Sequence, residues 1–507
     1  MCLIRRRAGA KTSWLPDMRS LTSLFLGLIL TCHPSAGRSH VLFIAVDDLN
    51  DWIGCLGGHP QALTPNIDRL AARGILFTNA HCVASACNPS RAAVFSGRRP
   101  VVTGVWSNQS GSLARCYPQA RLLSTTFAGS GYDTLGAGKL LHSQGGKSYG
   151  EYFGVNQRWS PLSKEAVRYT RKELPTKATD NPRHLVADSL GREATLPLNR
   201  MPSDRKPAQA DGESFDWGGW DVPDVDFGDT KITDWAIGKL KEVRKRPLFL
   251  AVGYYRPHIP LWAPKRFFER FQGDPGKLPA AKEGDLDDLG TVGRRWARRA
   301  VTAGSHATVI KHGQWQKAVE AYLACTSYVD HEIGRLLAAL DQSESGENTW
   351  IIMWSDHGWH LGEKEHWGKW TGWERSTRVP LIVVPPRAQA GKFAGGGSRC
   401  QQPVSLLDLY PTLVELCKLK VPGVLDGRSL GPLLRQPSRP TGRVVTTTFD
   451  RGNLSLRSDR WRYIRYADGE EELYDLTVDP NEWSNLSGLP EHADTRARFS
   501  ALITGRQ

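Results

Sequence analysis

Three stretches of this chain gather residue types that do chemistry. The first is VASACNPSRAAVFSGRRP, Val83 to Pro100, in which Cys87 closely precedes Pro89, Ser90 and Arg91. The other two are apolar runs that end in acids: VLFIAV runs into Asp47 and Asp48, and TWIIMWS runs into Asp356 and His357. Carboxylates brought together repel one another, and a divalent cation is the usual remedy. An oxygen-rich set favours Ca²⁺ or Mg²⁺ over Zn²⁺. Either acid pair alone reads equally well as a turn or a helix cap after a strand. Two such pairs, each closing a buried strand, point to a metal. Cys87 has four readings: disulfide half, metal ligand, nucleophile or plain buried thiol. Pro89 suits the first turn of a helix over PSRAAVFS that stops at Gly97. Cys87 would then sit just before a helix N-terminus, where backbone N–H groups and the dipole favour an anion. Arg91, one turn on, adds a fork matched to sulfate or phosphate.

These residues need elements to position them. Four short apolar runs, at 41–46, 247–254, 349–355 and 380–386, lack alternation, as parallel strands covered on both faces should. Helices lie between them. TPNIDRLAARG offers Thr64 as N-cap, Pro65 at the first helical position, Ile67, Leu70 and Ala71 on one face, and Gly74 as a stop. Residues 318–342 form a long amphipathic helix leading into the 349–355 strand. Alternating strands and helices predict a largely parallel sheet with helices on both faces. Ligands of such sheets bind beyond the carboxyl ends of the strands, where both acid pairs fall. Composition shifts near residues 435–443. Shorter strand-like runs follow, with turns at Ser458-Asp459 and Asp468-Gly469, which predict a small antiparallel C-terminal subdomain. The expected division is a signal peptide at 1–36, a catalytic domain at 37–437 and the subdomain at 438–507. Region 155–230, rich in Pro, Gly, Asp and Trp, is expected to be long loops over the sheet.

The 507 residues allow a sizeable core and two to four domain-sized units. Arg5, Arg6, Arg7, Lys11 and Arg19 precede the apolar run LTSLFLGLILTC, and small residues follow, with Ala36 as the expected cleavage point. That order is a secretory signal, too short for a membrane span. A lipoprotein reading through Cys32 is weaker, because Thr31 is bulkier than the residue usually found there. The expectation is an exported protein, secreted or periplasmic, with no membrane span. The chain carries +14 formally, and without residues 1–36 it keeps 61 Lys and Arg against 51 Asp and Glu. A cationic exported protein suits a polyanion, although a solvated basic face explains runs such as VRKRP equally well. Nucleic acid is not expected as a partner, since zinc-finger spacing and RNP-like aromatics are absent from the sequence. A tyrosine-phosphatase loop fails on spacing, since the arginine required after Cys82 is replaced by Asn88. Zinc fails because no compact Cys and His set surrounds Cys82 and Cys87. Outside the leader there are seven cysteines, an odd number that leaves at least one unpaired and room for one to three disulfides.

CNPSR followed by SGRRP resembles the signature of type I sulfatases of the alkaline phosphatase superfamily, in which the cysteine of C-x-P-x-R becomes formylglycine. VDDLNDWIGCLGG, TPNIDRLAARGILFTNAHC, LGAGKLLH, PHIP, SDHGWHLGEKEHWGK and ELYDLTVDPNEWSNL resemble further landmarks in family order. GRRP, AVGYYRPHIP and SDHGW are most similar to the iduronate-2-sulfatase group. The resemblance implies an alkaline-phosphatase-like α/β core, one Ca²⁺, and a maturation partner, the formylglycine-generating enzyme. It implies that converted Cys87 hydrates to a geminal diol. One hydroxyl attacks sulfur and displaces the alcohol; the other then loses its proton, and collapse expels sulfate. An unmodified thiol lacks that second hydroxyl. The resemblance further implies that Asp47, Asp48, Asp356 and His357, with converted Cys87, hold the calcium. Arg91 would hold the nucleophile's alkoxide, Lys139 and His142 would contact nucleophile and sulfate, His258 would be a general acid near its operating pKa, and Lys369 would bind sulfate. Taken alone, such lysines and histidines are more often surface charges or structural groups. His360 and His366 flank the same loop.

The function expected is hydrolysis of a sulfate ester on a sulfated saccharide, with specificity set by loops 155–230 and 270–315. Trp217, Trp220 and Trp262 suit stacking on sugar rings or packing in a core equally. A phosphate or phosphonate ester hydrolase of the same superfamily is one rival. A non-catalytic polyanion-binding homologue is the other, disfavoured because a binding module has no need of metal ligands.

Overall fold

Eight strands build the central sheet: β1 (His40–Val46), β2 (Ile75–Phe77), β3 (Asp133–Gly138), β4 (Glu151–Phe153), β5 (Leu248–Tyr254), β6 (Thr349–Ser355), β7 (Leu381–Val384) and β8 (Ser398–Cys400). Their order is β8-β2-β7-β6-β1-β5-β3-β4. The computed structural model describes residues 38–142, 145–155, 157–162, 184–202, 214–301, 304–421 and 423–504. The expected signal peptide, residues 1–36, lies outside them. Among the described residues no helix is long and apolar enough to cross a membrane.

Helices α1 (Pro65–Arg73), α2 (Cys87–Ser96), α3 (Gly228–Leu240), α4 (Trp315–Asp341) and α5 (Leu409–Cys417) cover both faces of the sheet. Along β1, Val41, Phe43 and Ala45 pack in one layer with Phe95 of α2 and Leu409 of α5. Leu42, Ile44 and Val46 pack in the other with Ile67 of α1, Ile232 of α3 and Ile333 of α4. Burial on both faces is why these strands lack alternation, and each fully buried aliphatic side chain contributes about 1.5–3 kcal/mol. Helix α1 keeps the expected bounds and buried face, but Thr64 does not cap it. Its hydroxyl accepts from the Gly54 N–H at 2.8 Å, and Asp330 of α4 accepts the N–H groups of Asn66 and Ile67 instead. The first turn of α1 is thereby tied to α4.

The run at 380–386 departs from expectation. Strand β7 pairs antiparallel with both β6 and β2. Two-sided burial produces the same apolar run in either direction, so the pattern carries no sign. The region 155–230 also holds more than loops. Among its described residues a hairpin joins His184–Ala187 to Glu193–Leu196, Trp217–Trp220 pairs with Leu261–Pro264, and α3 begins at Gly228. Trp217, Trp220 and Trp262 are buried in one cluster with Trp159 and Trp367, so they pack as core and do not stack on sugars.

A second, antiparallel sheet follows: β9 (Val445–Thr448), β10 (Leu454–Arg457), β11 (Trp461–Arg465) and β12 (Glu471–Asp475). Helix α6 (Ala493–Thr504) covers one face through Phe499 and Ile503, and Trp296, Trp373 and Phe449 meet the other. The sheet is stitched to the segment before Cys87. Thr448 donates its N–H to the Val83 carbonyl at 2.9 Å, and Ser85 donates to Thr448 at 3.1 Å. The short strand-like runs and their turns made this sheet legible in the sequence, although both of its faces are buried.

Candidate active site

Four neighbouring parallel strands end level with one another. Val46 of β1 stands beside Ser355 of β6 and Tyr254 of β5, and Gly253 of β5 beside Gly138 of β3. The residues that follow therefore emerge side by side: Asp356 and His357 after β6, Asp47 and Asp48 after β1, His258 four residues after β5, and Lys139 after β3. Helix α2 starts at Cys87 itself, two residues earlier than expected, and ends at Gly97 with φ 67°, a left-handed stop that suits glycine. The whole helix is buried, so its N-terminus is aimed rigidly at the strand ends.

Cys87 Sγ lies 2.9 Å from Lys369 Nζ, 3.2 Å from His357 Nε2, 3.7 Å from Lys139 Nζ and 3.8 Å from Asp48 Oδ1. Ligand atoms of Asp47, Cys87, Asp356 and His357 all fall within 4.8 Å of one another, as do those of Asp47, Asp48, Cys87 and His258. Arg91 is fully buried. It donates through Nε to Asp356 at 2.7 Å, through Nη2 to Asp47 at 3.1 Å, and through Nη1 to the carbonyls of Lys139 and Leu140. Lys139 also pairs with Asp47, and Lys369 with Asp48 at 2.7 Å. His357 Nδ1 donates to the Gly358 carbonyl at 2.9 Å, which aims Nε2 into the cluster. His258 Nδ1 likewise donates to the Ile259 carbonyl at 2.6 Å, leaving Nε2 3.8 Å from Asp48 Oδ2.

Three carboxylates thus face three permanent cations, Arg91, Lys139 and Lys369. Burial and then the neighbouring Cys87 and Asp47 raise Asp48 to about 7, against the pull of Lys369 and His357. Burial resists charge on His357, but Asp356, Cys87 and Asp48 outweigh it and raise the imidazole to about 9. For Cys87, burial and Asp47 push upward, while Lys139, Lys369 and His357 win and bring the thiol down to about 7. His258 goes the other way. Burial first, then Lys139 and Lys369, hold its pKa well below the ordinary value, so the imidazole is neutral in the free pocket and not near an operating pKa. His142, at an exposed position, is pushed down to about 3 by the protein crowding its ring and then by Lys139 and Lys369.

The residues fit a hard divalent cation. Asp48 Oδ2 is buried with no hydrogen-bond partner, the donors are mostly carboxylate oxygens, and a proton is drawn onto His357 where positive charge is wanted. His360 and His366 do not enter the site. His360 contacts the Glu363 carbonyl and Thr371 Oγ1, and His366 the carbonyls of Ala297 and Lys369, so both brace the loop that carries Lys369. Residues to which the sequence reading gave no role also support the site. Ser90 Oγ donates to the Asp356 carbonyl at 2.6 Å, and Asn108 Oδ1 accepts the Asn88 N–H at 2.9 Å in the first turn of α2. Nothing in local sequence marks Asn108. Ser90, inside CNPSR, could have been found. All seven described cysteines are free, so the disulfides allowed for do not occur among them.

A mixed α/β sheet whose strand ends carry clustered carboxylates, beside a buried helix beginning at a cysteine, is the arrangement that the resemblance to sulfatases implied. Residues 39–419 match the sulfatase family, and residues 362–506 match the N-sulphoglucosamine sulphohydrolase C-terminal family. The chain belongs to the sulfatase family, whose members hydrolyse sulfuric esters. It is 34% identical over 454 residues to a sulfatase of Formosa agariphila, covering 88% of this chain and 83% of that one. It is 29% identical over 526 residues to human iduronate 2-sulfatase, covering 96% and 85%. Its fold is similar to the phosphonate monoester hydrolase of Silicibacter pomeroyi, with TM-score 0.70, 22% identity, and 92% and 94% of the two chains covered.

Proposed function

We propose that this chain removes sulfate from a sulfated saccharide, using Cys87 converted to formylglycine and one bound Ca²⁺. The observation that carries the reading is the convergence of Cys87, three carboxylates, His357 and two lysines on one buried point at the strand ends. Converted Cys87 would supply a geminal diol, with one hydroxyl to attack sulfur and a second whose ionisation expels sulfate. The calcium would be held by Asp47, Asp48, Asp356, His357 and converted Cys87, and would supply Lewis acidity toward a sulfate oxygen.

The chain's own residues do the rest. Arg91 orients Asp47 and Asp356 through its fork. Lys139 and Lys369, both on Cys87, would hold the sulfate oxygens beside the nucleophile, with His142 at the exposed edge. His258 would pass a proton to the leaving oxygen from Nε2, taking it up when the anionic ester offsets the burial and the two lysines that now keep the ring neutral. The saccharide rests on likeness to iduronate 2-sulfatase and on the cationic balance of the chain. Export to the periplasm or outside the cell is supported by the basic, apolar and small-residue order of residues 1–36, and the formylglycine-generating enzyme would be the maturation partner. Phosphonate or phosphate ester hydrolysis is the second reading, favoured only by the shared fold.

Peptide mass spectrometry on the Cys87 fragment, from protein made with the converting enzyme, tests this. The expected species is an aldehyde or its hydrate, and the same preparation should cleave sulfate esters faster than phosphate esters. A free thiol there would remove the mechanism, and a preference for phosphate would favour the second reading.

A further inference from the structure

A second cavity, of about 400 Å³, opens between the Arg99–Trp106 segment and edge strand β9 of the C-terminal sheet. That is the size range of small-ligand pockets. Its two acids are neutralised within the wall. Asp408 is held bidentate by Arg443 at 2.8 and 3.0 Å and accepts the N–H groups of Ser405 and Arg428. Asp426 pairs with Arg98 at 3.3 Å and accepts the Arg99 N–H at 2.8 Å. The side chains of Arg99 and Arg451, which line the same cavity, have no acidic partner among the described residues. Half-buried Trp106 adds an aromatic wall. The cavity therefore combines two unneutralised guanidinium groups with an indole. A guanidinium fork matches a sulfate or carboxylate oxyanion, and an indole covers the apolar face of a sugar ring.

We propose that this cavity is an accessory site for a sulfated sugar unit, separate from the hydrolytic centre; the choice of a saccharide rests on the function proposed above. It lies close to the reaction. Val83, in its wall, is four residues before Cys87, which bounds their separation at about 14 Å of extended chain. Trp106 leads into the turn whose Asn108 caps Asn88. Arg99 itself follows the far end of α2, about 15 Å of helix from Cys87, so the expected occupant of both places is an oligosaccharide and not a lone sulfated sugar.

The test uses the full chain in two forms. Unconverted protein, which binds without turnover, is titrated calorimetrically with a heparin hexasaccharide. Converted protein is assayed on a small aryl sulfate. The R99A/R451A double variant and W106A are each expected to weaken hexasaccharide binding tenfold or more. Both should leave kcat and KM for the aryl sulfate unchanged. A control pair of exposed arginines elsewhere, R295A/R498A, should leave hexasaccharide affinity within twofold. Unchanged affinity in both cavity variants overturns the proposal, as does an equal loss in the control pair, which would mean non-specific charge. Loss of aryl-sulfatase activity in the cavity variants also overturns it, since the cavity would then be structural. If wild type binds the hexasaccharide, loses it in the cavity variants and cleaves no sulfate ester, the cavity stands and the proposed function falls.

Discussion

Arg91 makes its contacts with other protein groups: Asp356, Asp47 and two carbonyls. The resemblance assigned it to the nucleophile's alkoxide; its contacts also make it a brace that sets the angle between the two carboxylates proposed to hold the metal. A lysine offers a point charge and cannot serve both acids through a planar fork. Arg91→Lys is expected to weaken Ca²⁺ binding by about 10–100-fold. Thermal-shift titration with Ca²⁺ reads this, and wild-type affinity in a folded variant would count against it. His258 is argued at the same scale. Its Nδ1 is tied to the Ile259 carbonyl, which leaves Nε2 facing the pocket, free to take up the proton that the proposed function passes to the leaving oxygen. His258→Ala should cut kcat about 10²-fold on a sugar sulfate and little on a nitrophenyl sulfate, whose leaving group needs no proton. Equal losses on both would make His258 a binding residue only.

At the scale of elements, the C-terminal sheet holds the approach to Cys87 in place. Fully buried Arg462 of β11 donates to Glu482 at 3.2 Å, to Thr377 Oγ1 at 2.8 Å and to Glu374, while the Thr377 carbonyl accepts the Cys82 N–H at 2.9 Å. Burial raises Glu482, and Glu374 adds to this against Arg462, to about 7. The fold therefore prefers Glu482 neutral. That contribution is complete below the unfolded value of 4.5 and is lost as pH rises through about 7. Glu482→Gln keeps the neutral shape at every pH, so its Tm relative to wild type should rise between about pH 5 and about pH 8. A gap that stays constant, or shrinks, would mean Glu482 is ionised throughout. Short strand-like runs between turns revealed this sheet, but a charged side chain such as Arg462 on a strand reads as solvent-facing. Only the neighbouring Glu374 and Glu482, distant in sequence, make its burial tolerable.

For the whole molecule, Cys82, Cys400 and Cys417 are buried in one layer of the core and Cys325 in another, all free, with Cys55 and Cys116 half-buried and unpaired. A mature, denatured chain beginning after residue 36 should therefore titrate as six free thiols when Cys87 is converted and seven when it is not. A lower count that reduction restores would reveal a disulfide. An odd cysteine count allowed bridges because counting residues does not measure distances between them.

What the sequence determined by itself is local and chemical. Strand runs 41–46 and 349–355 end in acids, α2 starts beside a cysteine and stops at a glycine, and CNPSR sits within an ordered set of motifs. These follow from residue type and spacing, which govern turns, caps and covalent reactivity. The tertiary structure decided what depends on neighbours remote in the chain. Register alone sets Val46 beside Ser355, which makes Asp47, Asp48, Asp356 and His357 one cluster. Packing alone buries Trp217, Trp220 and Trp262, turns β7 against its neighbours and ties His360 and His366 to the loop. Direction, depth and electrostatic environment are properties of the assembled sheet, and an apolar run or a lone histidine carries no record of them.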